Sequence, residues 1–351
     1  MRRRPRSSKR ASNLRNEPNS NGGAQHVSRF FITLRAIDGA AYGGALATAP
    51  QYLNVPEGAT PTPSHALDLP VWQSQVLATF RRVTGVNGKS VTQQGDLLFV
   101  VHGFNETIDG VAGLHDSVRL GLAEHGDNYR PTIVSFDWPS AGSPFAYMSD
   151  VDVAARTAID LVNCAIRPFL SAQAPNCQVK LSAIAHSMGA FVLRAALGHA
   201  DDGDFTGSDW TLRQLALVAG DVEASSFASG DKDTQSMMGH AYRLTNYFSH
   251  YDEALMISNA KRAGVEERVG RVGLPFGAPA STVNVNCSDR YAALPQPAPL
   301  DPIARAGFSH SWYFSDPNFF RDLSQTLQGA VDRNVIAKRT AAPEGGFVLA
   351  V

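Results

Sequence analysis

The stretch Val179-Lys180-Leu181-Ser182-Ala183-Ile184-Ala185-His186-Ser187-Met188-Gly189-Ala190 decides how this chain is read. Val179 to Ala185 is an apolar run of strand type, and Ala190 to Leu197 has helical character. Between them, Ala185-His186-Ser187-Met188-Gly189 gives a small residue, any residue, Ser, any residue, Gly. A turn this tight between strand and helix needs small neighbours two before and two after the Ser. It holds the Ser backbone strained, stands Oγ at the top of the sheet, and turns the next N–H toward the same point. The pattern reads as a nucleophile elbow. Ala185 stands where Gly is commoner, and its side chain is still compact.

A second signal lies upstream. Leu97-Leu98-Phe99-Val100-Val101 is a continuous apolar run, as expected of a strand buried on both faces of a parallel sheet. It ends in His102-Gly103-Phe104-Asn105. A strand ending in His-Gly and followed by an elbow resembles the α/β-hydrolase superfamily, and more narrowly a bacterial branch grouped with serine esterases and lipases. The resemblance rests on Val100-Val101-His102-Gly103-Phe104-Asn105, Phe136-Asp137-Trp138-Pro139-Ser140, Ala185-His186-Ser187-Met188-Gly189 and Ser309-His310-Ser311, and spans about residues 28 to 330. It implies Ser187 as nucleophile, with the backbone N–H groups of Phe104 and Met188 as the oxyanion hole. Gly103, His186 and Gly189 are then supporting residues, and His102 buttresses the oxyanion loop by hydrogen bonding.

A Ser hydroxyl needs a base, and the base needs an acid to fix its tautomer. In the resembling fold the chain order is Ser, acid, His. Of the ten His, His240, His250 and His310 lie well beyond the elbow. The expected base is His310, on a loop before the final helix. The expected acid is Asp252, after the strand Tyr242 to Ser249. The alternative acid is Asp221, which otherwise caps a turn, and Glu253 is a solvated third. His102 and His186 follow different strands, so no metal site is expected, nor any cofactor. Trp138 is either a core residue or a pocket wall, and Ser140 to Phe145 with Tyr147 are expected at the entrance.

Composition allows this reading. With 44% hydrophobic and 18% charged residues in 351, the chain can bury a large α/β core. A net charge of -1 points to neither nucleic acid nor membrane. The expected partner is a small-molecule or lipid-like ester. Residues 1–27 begin with Arg2, Arg3, Arg4, Arg6, Lys9, Arg10 and Arg15 amid Ser, Asn and Gly, a composition expected to be disordered. Phe30 to Leu34 is short and interrupted by Arg35, which fits neither a secretory signal nor a transmembrane segment. Cys164, Cys177 and Cys287 follow no zinc or disulfide spacing, as expected of reduced thiols in the cytoplasm.

Along the chain, Ser28 to Ile37 reads as a strand, residues 38–70 as a loop, and Leu77 to Val83 as helical, with Trp72 and Phe80 in the core. Val111, Leu114, Val118 and Leu122 mark a helix. Thr132 to Trp138 is a strand, and Val151 to Phe169 a long amphipathic helix. Leu212 to Ala219, Tyr242 to Ser249 and Thr282 to Cys287 are strands, and Phe319 to Val331 is the last helix. The alternation predicts an α/β fold, a mostly parallel doubly wound sheet flanked by helices. One hydrolase domain is expected over residues 28–335 and a loose tail over 336–351. The expected activity is ester cleavage through an acyl-enzyme. The alternatives are a thioesterase or amidase with the same three residues, or a non-catalytic scaffold that kept the fold.

Overall fold

The computed structural model describes residues 28–84, 91–140, 147–173, 178–200, 210–261, 266–295, 301–329, 335–343 and 345–351. The basic segment 1–27, the entrance residues 141–145 and Cys177 lie outside the described residues.

Among the described residues twelve strands form one sheet. They are β1 (Ser28–Asp38), β2 (Ala41–Pro56), β3 (Ala66–Leu67), β4 (Arg81–Thr84), β5 (Val91–Val101), β6 (Thr132–Asp137), β7 (Gln178–His186), β8 (Gln214–Val218), β9 (Leu244–Phe248), β10 (Thr282–Asn286), β11 (Arg339–Ala341) and β12 (Phe347–Leu349). The order is β11-β12-β10-β9-β8-β7-β5-β6-β1-β2-β3, with β4 paired to β5. Pairing is parallel from β1 through β6, β5, β7, β8, β9 and β10 to β12. The antiparallel pairs are β1–β2, β2–β3, β11–β12 and β4–β5. The fold is therefore a mostly parallel, doubly wound sheet flanked by helices, of α/β-hydrolase type.

The apolar runs explain both covered faces. In β5, Leu97, Phe99 and Val101 point into one core, with Leu161, Val162 and Phe169 and with Val192 and Leu193 of the helix Met188–Gly198. Leu98 and Val100 point into the other, with Val118 and Leu122 of the helix Ile108–His125 and with Phe319, Phe320 and Leu323 of the helix Pro317–Gln328. Side chains alternate across a strand, so a strand covered on both faces must be apolar throughout. Burying each such Leu or Phe contributes about 1.5–3 kcal/mol.

Connectivity positions the site. The chain leaves β5, crosses to β6 on one side, then returns to β7 on the other side of β5. The strand order reverses there, and such a switch point opens a crevice at the carboxyl ends of the strands. The His102 turn leaves the end of β5 and the Ser187 turn leaves the end of β7, so both stand at that carboxyl end of the sheet.

Several expectations need correction. Residues 38–70 are not a loop throughout: they carry the long strand β2 over Ala41–Pro56. Its first half lies along the sheet margin, largely exposed, so it needs no apolar alternation and tolerates Pro50. Of Leu77 to Val83 only Leu77 and Ala78 are helical, as the end of the helix Leu69–Ala78; the chain then turns into β4. Trp72 and Phe80 are buried. The long amphipathic helix is α-helical only over Tyr147–Asp160, widens over Leu161–Ile166, and tightens over Arg167–Gln173, where Pro168 supplies no N–H. The described C-terminal residues, 336–343 and 345–351, carry β11 and β12 rather than a loose tail. β12 pairs with β10, Leu349 is buried, and Arg339 is fully buried against Asp322 at 2.6 Å. No helix among the described residues is long and apolar enough to cross a membrane.

Candidate active site

Ser187 joins β7 to the helix Met188–Gly198 with φ 54° and ψ −125°. For a residue with a Cβ this is strained backbone, held here by its surroundings. Its N–H donates to Val218 O at 3.1 Å, and its C=O accepts from Asp221 N–H at 2.9 Å and Ala190 N–H at 3.0 Å. Ala185 is buried where β7 lies between Val101 of β5 and Leu217 of β8. A Cβ on Gly189 would stand 2.4 Å from His102 O and 2.5 Å from Val101 O, so only Gly lets the helix start approach the end of β5. The residues Gly103, Phe104, Ser187 and Met188 are thereby brought to one end of the sheet.

The loop after β5 turns at Phe104 and Asn105, with Asn105 at φ 61°, a left-handed conformation that Asn tolerates. His102 is buried and stacked on Trp138, ring centroids 5.3 Å apart at 4°. Its Nδ1 lies 2.8 Å from Gly103 O, so Nδ1 carries the proton and donates. Trp138 Nε1–H donates to His102 O at 2.9 Å, which makes Trp138 a buried support rather than a pocket wall.

His310 Nδ1 lies 2.6 Å from Asp252 Oδ2. The other oxygen of Asp252 accepts from Leu255 N–H at 2.9 Å, at the start of the helix Glu253–Lys261. Asp252 is fully buried, so both oxygens are committed and its orientation is fixed. His310 sits in the last turn of the helix Pro302–Ser311, not on the expected loop. Ser309, its neighbour, joins the two helices: Oγ accepts from Glu253 N–H at 3.0 Å and donates to Ala306 O at 2.9 Å. Burial alone would lower the His310 pKa. The charge and hydrogen bond of Asp252, helped by Asp221 and Glu106, outweigh it and hold the ring above its ordinary value.

His186 packs its ring against His310, centroids 4.7 Å apart, with Nε2 3.2 Å from His310 O. Burial, followed by the nearby His310, pushes His186 down to about 3, so it is neutral at ordinary pH. Asp221 is not bonded to His310. Its carboxylate lies 3.3 Å from Arg268 Nε, and both side chains are buried. Glu253 pairs with Arg305 at 2.8 Å. Among the described residues no cluster of three or more His, Cys, Asp or Glu could hold a metal ion.

Three residues escaped the sequence reading. Asp137, at the end of β6, lies 3.1 Å from His102 Nε2 and is bonded to Arg35 of β1 at 2.9 Å. Burial opposes its ionisation, but His102, Arg35 and Thr33 hold the carboxyl below its usual range. Glu106 lies at the far end of the loop. Burial raises its pKa despite the neighbouring His102 and Arg35. The available signal was Arg35 itself, a charge closing an apolar strand, which needs a buried partner.

The chain is similar to several solved structures, at low identity and low TM-score. Esterase B from Lactobacillus rhamnosis is 9% identical, with 74% of this chain and 93% of that chain covered at TM-score 0.36. A cutinase-like protein from Cryptococcus sp. is 14% identical, covering 68% and 97% at TM-score 0.34. The lin2722 gene product of Listeria innocua is 10% identical, covering 68% and 96% at TM-score 0.39. No curated protein matches the chain. Residues 84–280, more than half of the sequence and including β5, the elbow and Asp252, match the family described as "Alpha/beta hydrolase of unknown function (DUF900)". The chain belongs to this α/β-hydrolase family.

Proposed function

We propose that the protein is a serine hydrolase that cleaves carboxylic esters of small-molecule or lipid-like type through an acyl-enzyme. Ser187 Oγ attacks the ester carbonyl while His310 Nε2 takes its proton. Asp252 holds the His310 tautomer and stabilises the imidazolium. The N–H groups of Phe104 and Met188 receive the negative charge that develops on the carbonyl oxygen. His310 then returns the proton to the leaving alcohol, and water releases the acid by the same route. A cytoplasmic setting belongs to the same reading, in keeping with the free thiols of Cys164 and Cys287.

The observation that carries the reading is the 2.6 Å contact between His310 Nδ1 and Asp252 Oδ2, with the His310 ring against His186, the residue before Ser187. Nitrophenyl esters of increasing acyl length test it. The wild type should turn over at least one of them, and Ser187→Ala should lose on the order of 10³-fold or more in kcat. Turnover undiminished in Ser187→Ala would refute the reading.

A further inference from the structure

Beneath the Phe104 turn lies a buried ion pair that the three expected catalytic residues do not need. We propose that Arg35 and Asp137 are positioning residues for the Phe104 N–H, acting through the two ends of the loop that carries it. The inference rests on the reading above, in which that N–H receives the oxyanion.

The peptide joining Gly103 to Phe104 is one plane, with its C=O and N–H pointing in opposite directions. Donation from His102 Nδ1 to Gly103 O at 2.8 Å fixes the carbonyl, and so aims the N–H. The direction of the ring is therefore the direction of the donor. Three contacts set that ring: the Trp138 stack, Asp137 Oδ1 at 3.1 Å from Nε2, and the Trp138 backbone N–H at 3.2 Å from Nε2. A carboxylate only accepts, so Asp137 holds the ring by accepting from Nε2–H, which requires a ring protonated on both nitrogens; the Nδ1 proton then faces Gly103 as well.

Asp137 is immobilised in turn. Thr33 Oγ1–H donates to Oδ2 at 2.6 Å, and Arg35 Nε–H lies 2.9 Å from Oδ1 and 3.0 Å from Oδ2. The same guanidinium reaches the far end of the loop, where Nη2 donates to Glu106 O at 2.7 Å. Ser140 closes that end: its Oγ accepts from Glu106 N–H at 2.9 Å and donates to Glu106 O at 3.1 Å. One arginine thus fixes His102 through Asp137 and Glu106 directly, with Phe104 between them.

Burial makes this arrangement costly. Arg35 is 3% and Asp137 0% exposed, and an apolar pair of similar volume is commonly as stable as a buried ion pair. A fully bonded polar network fixes direction in a way apolar packing does not. An N–H aimed off target loses hold of charge that develops only in the transition state, so kcat suffers while substrate binding is spared.

The test uses Arg35→Lys and Asp137→Asn in the full chain, with a nitrophenyl ester and an alkylboronic acid as transition-state mimic. Both variants should lose ~10–100-fold in kcat, somewhat less than removal of an oxyanion donor, with KM within about twofold. Boronate affinity should fall by the same factor as kcat. In the ¹⁵N-labelled wild type, the His102 ring should carry a proton on Nδ1, and Arg35→Lys should shift that signal. This spectrum decides the matter if the variants fail to fold: a wild-type ring protonated on Nε2 alone overturns the proposal. Lowered melting temperature with unchanged kcat and boronate affinity also overturns it, leaving a structural ion pair only. The parent reading fails separately, if the wild type turns over no ester or Ser187→Ala stays active.

Discussion

A Cβ on Gly103 would stand 2.7 Å from Ser187 Cβ and 3.3 Å from Ser187 Oγ. The loop after β5 and the elbow thus touch with no room for a methyl group. The first distance is too short for two carbons, and the strained Ser187 backbone cannot yield without moving the helix behind it. Gly103→Ala should therefore displace the loop, with a kcat loss on the order of 10²-fold or more, comparable to removing one oxyanion donor. Ester kinetics on the folded variant check this, and wild-type kcat would contradict it.

The two candidate acids should separate in opposite directions. Asp252→Asn keeps its volume but loses the charge facing His310 Nδ1 at 2.6 Å. Its kcat should fall by ~10³–10⁴, with melting temperature nearly kept. Asp221→Asn leaves the buried Arg268 without the carboxylate at 3.3 Å. It should cost roughly 3–5 kcal/mol of stability with a far smaller loss in kcat. Thermal melts and kinetics on both variants decide, and the reverse pattern would move the acid to Asp221.

The pH profile follows from His310. Its pKa is raised above 6.5, because Asp252 outweighs burial. As the proposed base it must be neutral, so kcat/KM should fall as pH drops through a midpoint above 6.5. For folding the sign is opposite: the raised pKa contributes stability below the unfolded value, and that contribution is lost as pH rises through the folded one. Asp252→Asn should move the acid limb to lower pH. His186, at about 3, should contribute nothing to that limb. A rate profile between pH 5 and 9, roughly the range in which histidine titrates, measures this. An unmoved midpoint in Asp252→Asn would count against the pairing.

The C-terminal strands should matter to stability. Arg339 donates to both Asp322 oxygens at 2.6 Å and to Thr326 Oγ1 at 2.7 Å. Arg339→Ala strands a buried carboxylate and should cost about 3–5 kcal/mol. Urea unfolding measures it, and a midpoint equal to wild type would show that β11 contributes little.

The central strands and the elbow were legible because both signals are local: an unbroken apolar run needs both faces covered, and the small-residue spacing needs a tight turn. Other features were set by distant partners. β2 lacks alternation because its first half lies exposed at the sheet margin. The strand β12 is three residues long and exists through its pairing with β10. Chain order points to His310, whereas the helix that carries it is signalled by its Asp301 cap and by Pro302 in the first turn. Asp137 falls within Phe136-Asp137-Trp138-Pro139-Ser140, yet its partner Arg35 lies on the neighbouring strand far away in sequence. Only the β1–β6 register, which sets Thr33 against Asp137, joins them.

The most direct test of the account is covalent labelling. The folded protein is treated with a fluorophosphonate, digested, and searched by mass spectrometry for the phosphonyl adduct. The account predicts one adduct, on Ser187, lost in Ser187→Ala and strongly slowed in His310→Ala. An unlabelled wild type, or an adduct on another Ser with Ser187 untouched, would contradict it.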